Sequence, residues 1–494
     1  MNATTELHAL RKAYHSIQQA LPWFDATVRE NDPPFFKAHA HPLSTPHAQS
    51  LPLDPKYAGR LASLRKEKSV QILRYDPTIS GPIQSLEPFF AEMTGEKMPL
   101  AILHTDLPFS EMGPLAVRHP GLNIIMESGP RKILYSIVEI ETLLLEHPNM
   151  HLSTWNFVNW LGIERFLDKG LGQRLLFGSH WPEHNPDVAM GPIIFGQFSW
   201  RTKCELAGNN LRRLLQQDPV HPPEVPFHPP QPFIIDSHCH NVELDAPSPN
   251  GFPTPDEHMA ARDWTAFMDH TAIEQIFLIS AGSLFHSDTK TCGEGTRELR
   301  QHSPGRFLYW ETFHPSGGPK QRERLLQSLK DGKCVGVKIH PSLHRVAADD
   351  PSYAAVFEIT HSFGKPILSH TWEKSSYNPV QHLSHPVRFE KHLKQYPETR
   401  LILGHAGGRP SAFDDTVKIC RSYPNVMADI SGDYFDNGLI EALVAEAGVE
   451  RILFGSDMDW IDPRCNLGAV LGAKISDQQA HQILRGNAER FFKL

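Results

Sequence analysis

The sequence predicts an α/β protein: a C-terminal (β/α)8 barrel over residues 232–494, preceded by a partial or degenerate barrel-like α/β repeat. Three observations carry this prediction. Eight short, apolar, β-branched segments follow one another at barrel spacing, most ending in a polar residue before a turn. Those endings matter because barrel active sites are built at the C-terminal rim of the strands. The first half repeats part of the same pattern, and a proline-dense stretch separates the two halves.

The eight segments are PFIIDSHCH (232–240), IEQIFLISAG (273–282), GRFLYWETFHP (305–315), CVGVKIHP (334–341), KPILSHT (365–371), RLILGHAG (400–407), NVMADIS (425–431) and RILFGSD (451–457). His238 and His240 close the first, Lys338 and His340 the fourth, His370 the fifth, His405 the sixth and Asp457 the eighth. Strand side chains alternate with period two, so His238 and His240 share one face. Cys239 points the other way and reads as packing. Asp236, two residues before His238, is placed to orient a ligand histidine.

At 494 residues the chain exceeds one ordinary domain. The expected division is a helical or irregular segment at 1–60, a non-catalytic repeat at 61–217, a linker at 218–231 and the catalytic barrel at 232–494. Prolines supply few donors to a sheet, so the linker is extended and semi-rigid. A composition of 40% hydrophobic and 21% charged residues suits a soluble protein with a sizeable core. A formal charge of −8 gives no electrostatic case for nucleic acid or acidic membranes. No apolar run approaches a membrane span, and Met1–Leu21 has an amphipathic helical rhythm without a secretory apolar core. The six cysteines lack CxxC spacing. A cytoplasmic enzyme with a small-molecule substrate is expected.

Within the first half, LASLRKEKSVQILRYDP (61–77) parallels LQSLKDGKCVGVKIHP (326–341), the fourth-strand region. PLAILHT parallels KPILSHT, setting His104 against His370; HPGLNIIMESG parallels YPETRLILGHAGG, setting Glu127 against His405. RLLFGSHWP parallels RILFGSDMD, setting His180 against Asp457, and AGNNLRRLL parallels RGNAERFF. Constant order through these matches argues for a shared unit. This copy is read as beginning at the fourth strand. Its only His-x-His, His39 and His41, reads as a surface loop, and the half reads as catalytically inactive. The two repeats are expected to pair within the chain, with homo-oligomerisation left open.

Hydrolysis at neutral pH needs deprotonated water, and a divalent ion lowers the pKa of bound water to about 7. Neutral imidazoles and a carboxylate suit Zn²⁺ first, with Mn²⁺ or Fe²⁺ as alternatives. His238, His240, His370 and Asp457 would supply three nitrogens and one oxygen at one barrel mouth, and Asp457 could also accept the water's proton. His-x-His alone is a weak motif, and Ser-Asp after a strand is also a helix N-cap signal. Their convergence on one rim is what points to a site. Arg409 could grip an anionic substrate or form a structural ion pair. Trp460 is a further rim candidate, and His314 and His340 precede prolines and could simply terminate strands.

The pieces IDSHCH, VKIHP, LSHT, LGHAGG, FGSD and GNAERFF resemble the amidohydrolase superfamily, in its amidohydrolase-related group of metal-dependent hydrolases and decarboxylases. The resemblance implies that His238, His240, His370 and Asp457 bind the metal. It implies that His405 is either a ligand of a second ion or an acid–base and carbonyl-polarising residue. Lys338 would be a carboxylated bridge between two ions or an ordinary lysine binding a substrate carboxylate; one ion is the expectation. Hydrolysis of an amide, cyclic amide, ester or lactone is the expected reaction. Non-oxidative decarboxylation is the alternative, and a non-enzymatic scaffold the third reading. Substrate choice is expected to reside in loops 245–258 and 284–296.

Overall fold

The computed structural model describes residues 3–29, 34–42, 45–128, 136–241, 261–280, 283–284, 299–374 and 378–494. The loop 245–258 and most of 284–296 lie outside the described residues. The chain forms two compact units. The first comprises Tyr14–Phe227 with Phe435–Asn437; the second comprises Met1–Ala13, His228–Tyr434 and Gly438–Leu494. The division at 227/228 lies inside the proline-dense stretch, and residues 14–60 group with the first sheet.

The first unit holds six parallel strands in sequence order: β1 (Ser50–Pro52), β2 (Ile72–Arg74), β3 (Leu100–Leu103), β4 (Ile124–Glu127), β5 (Met150–Ser153) and β6 (Leu175–Leu176). Strand material therefore precedes the fourth-strand counterpart, β2, where the sequence reading began the copy. The segment Phe24–Thr27 adds to it: Asp25 bridges His47 in parallel, and Ala26 N donates to Phe177 O at 3.0 Å, just beyond β6. Phe24, Ala26, Ile72, Ala101, Ile125 and Leu176 form the buried core beneath, with Leu211 and Leu215 packed in from the last helical turns.

The second unit holds eight parallel strands, again in sequence order: β7 (Ile234–Asn241), β8 (Ile273–Ser280), β9 (Phe307–Thr312), β10 (Cys334–Ile339), β11 (Ile367–His370), β12 (Leu401–Gly404), β13 (Val426–Asp429) and β14 (Ile452–Leu453). Ser237 N donates to Phe454 O at 3.0 Å and Asp457 N to His238 O at 2.8 Å, so the last strand returns to the first and the barrel closes. Parallel strands need crossover connections, and helices such as Ala354–Phe363 and Phe413–Ser422 supply them. The first of these stops at Gly364, whose φ of 60° is the left-handed C-cap.

Leu368, Ile402 and Leu453, each 0% exposed, fill the barrel floor with Trp310, and Ala488 and Phe491 of the C-terminal helix pack onto them. Each such side chain contributes about 1.5–3 kcal/mol by leaving water. Gly336 is required there: a Cβ would stand 2.3 Å from Pro366 O and 2.7 Å from the Trp310 ring. This fixed floor holds the strand ends, and hence the polar rim, in register.

Candidate metal centre

β7 delivers His238 and His240 to one face, with ring centroids 5.4 Å apart and both rings buried. Glycine makes room for the first: a Cβ on Gly455 would lie 2.8 Å from His238 Cβ. His238 Nδ1 lies 2.9 Å from Asp429 Oδ2, at the end of β13, and 2.8 Å from Ser431 Oγ. A buried carboxylate can only accept, so Nδ1–H donates and the Nε2 lone pair faces the mouth. There Nε2 meets Lys338 Nζ at 2.8 Å, with Asp457 Oδ1 3.7 Å away.

Asp429 and Ser431 set a second imidazole as well. Ser431 Oγ donates to Asp429 Oδ1 at 2.5 Å and lies 2.9 Å from His405 Nδ1, which it can therefore accept from. Asp429 Oδ1 also accepts from His405 N at 2.9 Å. Both His238 and His405 thus turn an unprotonated Nε2 toward the mouth, that of His238 facing Lys338 Nζ. Burial raises the Asp429 carboxyl, but His238, His405 and Ser431 outweigh it and hold the group well below the usual carboxylate range.

Asp457 and His405 both sit in the left-handed region, at φ 67° and 64°, which turns their side chains across the strand ends. Burial raises Asp457, and His240, His405 and His238 more than reverse it, so the carboxylate stays ionised. Burial lowers His405 to about 4, outweighing the upward pull of Asp457, so its imidazole is neutral at pH 7. Burial likewise takes the Lys338 ammonium down to about 8, against Asp457 and Asp429.

Among the described residues, the ligand atoms of His238, His405 and Asp457 all lie within 4.8 Å of one another, on three buried residues. His240 joins through Nε2, 3.0 Å from Asp457 Oδ1, with its ring against Trp460 at 4.3 Å. Two to three neutral imidazoles and one ionised carboxylate form a donor set that fits a divalent ion.

Several expected roles are changed by the geometry. His370 lies at the same rim, its ring 4.8 Å from His405 and parallel to His340 at 3.9 Å, with its Nε2 turned to Gln381 Oε1 at 2.9 Å. His340 is an N-cap, its Nδ1 accepting from Leu343 N at 3.2 Å, which favours the strand-terminating reading over a ligand. Arg409 is paired with Asp433 through two contacts of 3.3 and 3.2 Å and lies 4.5 Å over the Trp372 ring. Asp236 does not orient a ligand ring. Its Oδ1 accepts from Ser456 N at 3.0 Å and His238 N at 3.3 Å, tying the first and last strand ends together. Cys239 faces Ser456 at 3.5 Å, and burial raises its thiol. His314 is held by Ser316 Oγ at 2.7 Å.

In the first unit His41 is buried, not a surface residue: its N donates to Asn437 Oδ1 at 2.8 Å, and its ring is 3.8 Å from Asp187. His104 follows β3 and stacks on Phe109 at 5.8 Å. Glu127 ends β4, and His180 follows the Gly178-Ser179 turn. Sequence reasoning missed Asp429 and Ser431, although Asp-x-Ser at the end of the seventh strand has the same period-two logic as His-x-His.

The amidohydrolase family model matches residues 235–494, more than half of the chain. The chain belongs to the amidohydrolase family. It is accordingly an enzyme of the amidohydrolase superfamily by descent, with the barrel as the matched part. Solved structures with similarity to it include 5-carboxyvanillate decarboxylase from Sphingomonas paucimobilis, at 14% identity and TM-score 0.42, over 53% of this chain and 99% of that one. A dihydroxybenzoic acid decarboxylase from Polaromonas, with bound manganese and 2-nitroresorcinol, gives 18% and 0.43 over 53% and 98%. A putative amidohydrolase from Staphylococcus aureus gives 16% and 0.40 over 53% and 99%. At such values these likenesses decide nothing about the reaction of this chain. No curated protein matches it.

Proposed function

We propose that the second unit is a metal-dependent hydrolase of a small molecule bearing an amide, cyclic amide, ester or lactone. The observation that carries this reading is the convergence of His238, His405 and Asp457, with Asp429 and Ser431 fixing both imidazoles as Nε2 donors. A bound divalent ion would supply water of lowered pKa and polarise a carbonyl. Zn²⁺ is the first choice for this nitrogen-rich set, with Mn²⁺ or Fe²⁺ as alternatives. Asp457 is ionised and placed to take the water's proton. Neutral His405 is the second acid–base candidate, and Lys338, buried beside His238, is placed to meet substrate charge or carbonyl oxygen. One ion is favoured over two, because Lys338 Nζ is directed at a single imidazole.

The first unit is read as a degenerate, non-catalytic copy. Paired details support this. Asn210 Nδ2 donates to Gly172 O and Leu175 O, both at 2.8 Å, and Asn487 Nδ2 donates to Val449 O and Ile452 O, both at 2.7 Å. Each asparagine follows a π-helical turn, Glu205–Asn209 or Gln482–Gly486.

The test is metal analysis of the purified chain, followed by turnover of lactones, amides and aromatic acids with and without the bound metal. Incorporation of ¹⁸O from water into product is expected. Release of CO₂ with no ¹⁸O uptake would replace hydrolysis by decarboxylation.

A further inference from the structure

The hydrogen bonds that shape the rim of the second unit recur in the first, starting at Phe24–Thr27, two strand segments before β2, where the sequence repeat begins. Asp236 Oδ1 accepts from Ser456 N at 3.0 Å, and Asp25 accepts from Ser179 N at 3.3 and 3.2 Å. His238 N donates to Asp236 Oδ1 at 3.3 Å, and Thr27 N donates to Asp25 Oδ1 at 2.8 Å. Met458 N donates to Ser456 Oγ at 3.0 Å, and Trp181 N donates to Ser179 Oγ at 3.1 Å. His240 N donates to Met458 O, and Arg29 N donates to Trp181 O. Ser431 N donates to Asp429 Oδ1 at 3.0 Å, and Trp155 N to Ser153 Oγ at 3.1 Å. Even the left-handed φ recurs, at 67° in Asp457 and 55° in His180.

The backbone frame is therefore shared while its chemistry is exchanged. Thr27 stands in the position of His238, Arg29 in that of His240, Ser153 in that of Asp429 and His180 in that of Asp457. Ser153 cannot hold an imidazole as the Asp429 carboxylate does; His180 instead lies flat on Trp155, centroids 3.7 Å apart and planes 5° apart, with its Nδ1 3.3 Å from Glu183 Oε2. Burial, then His184, Arg29 and Arg74, hold that imidazole well below its ordinary pKa. Into the same rim Arg74 reaches from β2. Its Nε donates to Ser50 Oγ at 2.9 Å, one Nη to Ala26 O at 2.5 Å, and the other to Glu127 Oε1. Arg29 approaches the second oxygen of Glu127 at 3.4 Å. Glu127 is 1% exposed and Arg74 7%.

We propose that the Arg29–Glu127–Arg74 ion-pair triad occupies, in the first unit, the place held in the second by the metal ion and its ligands. The two guanidiniums engage both oxygens of the carboxylate that stands in the place of His405, leaving neither open to a divalent cation, while Asp106 lies near enough to act on Arg29 and Glu127. The first unit is thereby a metal-independent former site, closed by fixed side-chain charge. The comparison with the second unit rests on its reading as a metal centre.

The buried Arg74–Glu127 pair, with Arg29 26% exposed beside it, has a distinctive energetic signature. Removing one partner strands buried charge and is strongly destabilising, whereas replacing all members together with apolar groups of similar volume is neutral or stabilising. In the full chain, Glu127→Gln is expected to lower Tm by about 5 °C or more while metal per chain stays at the wild-type value. The concerted Arg29→Met, Arg74→Met, Glu127→Leu variant is expected to recover most of that loss, again with metal unchanged. This variant carries the test alone if Glu127→Gln does not fold. A concerted variant as unstable as the single one, or a fall in metal per chain in either, would overturn the proposal. Metal-free wild-type protein would instead overturn the reading of the second unit, and the Tm comparison would still stand.

Discussion

Asp457 takes its conformation from a left-handed backbone and its charge from three neighbouring histidines. If it receives the water's proton, Asp457→Asn should leave a folded chain with turnover reduced by at least about 10²-fold. Near-wild-type turnover would remove it from the mechanism. Asp429 acts one step behind, through the Nδ1–H of His238 and through Ser431. Asp429→Asn should weaken metal affinity by about 10–100-fold, read by competition with a chelator; unchanged affinity would mean that the tautomer is set elsewhere. His238, His240 and Asp457 were legible because His-x-His and Ser-Asp follow apolar strands. Asp429 was not singled out, because the period-two pairing of Asp429 with Ser431 in NVMADIS was not read as that of His238 with His240 was. The expected role of His370 as a ligand stays a proposal: its ring lies 4.8 Å from His405, and spacing says nothing of Gln381, eleven residues later, which engages its Nε2 at 2.9 Å.

All eight barrel strands were legible as elements, since each carries a short run of mostly buried apolar residues, aromatic in β9 and chiefly aliphatic elsewhere, as a two-sided core demands. The extended segment ahead of β1 was not. Phe24–Thr27 is brief, is followed by no paired histidines, and is identified by the Asp25–His47 bridge and its bonds to Phe177 and Ser179. One interior exchange between the units has a consequence for stability. His151 pairs with Ile125 on β4 as Met427 pairs with Ile402 on β12, so an imidazole fills a methionine's place. Burial, with Arg174 adding to it, lowers His151 to about 3, against about 6.5 in an unfolded chain. Between those values the unfolded chain takes up a proton that the native chain does not. Stability is therefore full above about pH 6.5 and falls as pH drops toward 3. His151→Met should reduce the loss between pH 7.5 and 4.5 by about 1–2 kcal/mol in urea titrations. An unchanged loss would show that other groups carry the acid sensitivity.

At the scale of the whole chain, two units share a backbone frame and differ in the charge placed on it. One gathers imidazoles and carboxylates, the other guanidiniums about a single glutamate. The proline-dense stretch contains the division at 227/228, whereas the charge exchange needed coordinates, because Arg29, Arg74 and Glu127 are far apart in the chain. The central claim is that one metal centre exists and belongs to the second unit. Metal per chain, measured on the full-length protein beside His238→Ala and His104→Ala/His180→Ala variants, tests it most directly. The expected result is close to one ion in the wild type, loss in the first variant and full retention in the second. Retention in His238→Ala, or loss of an ion in His104→Ala/His180→Ala, would contradict the account.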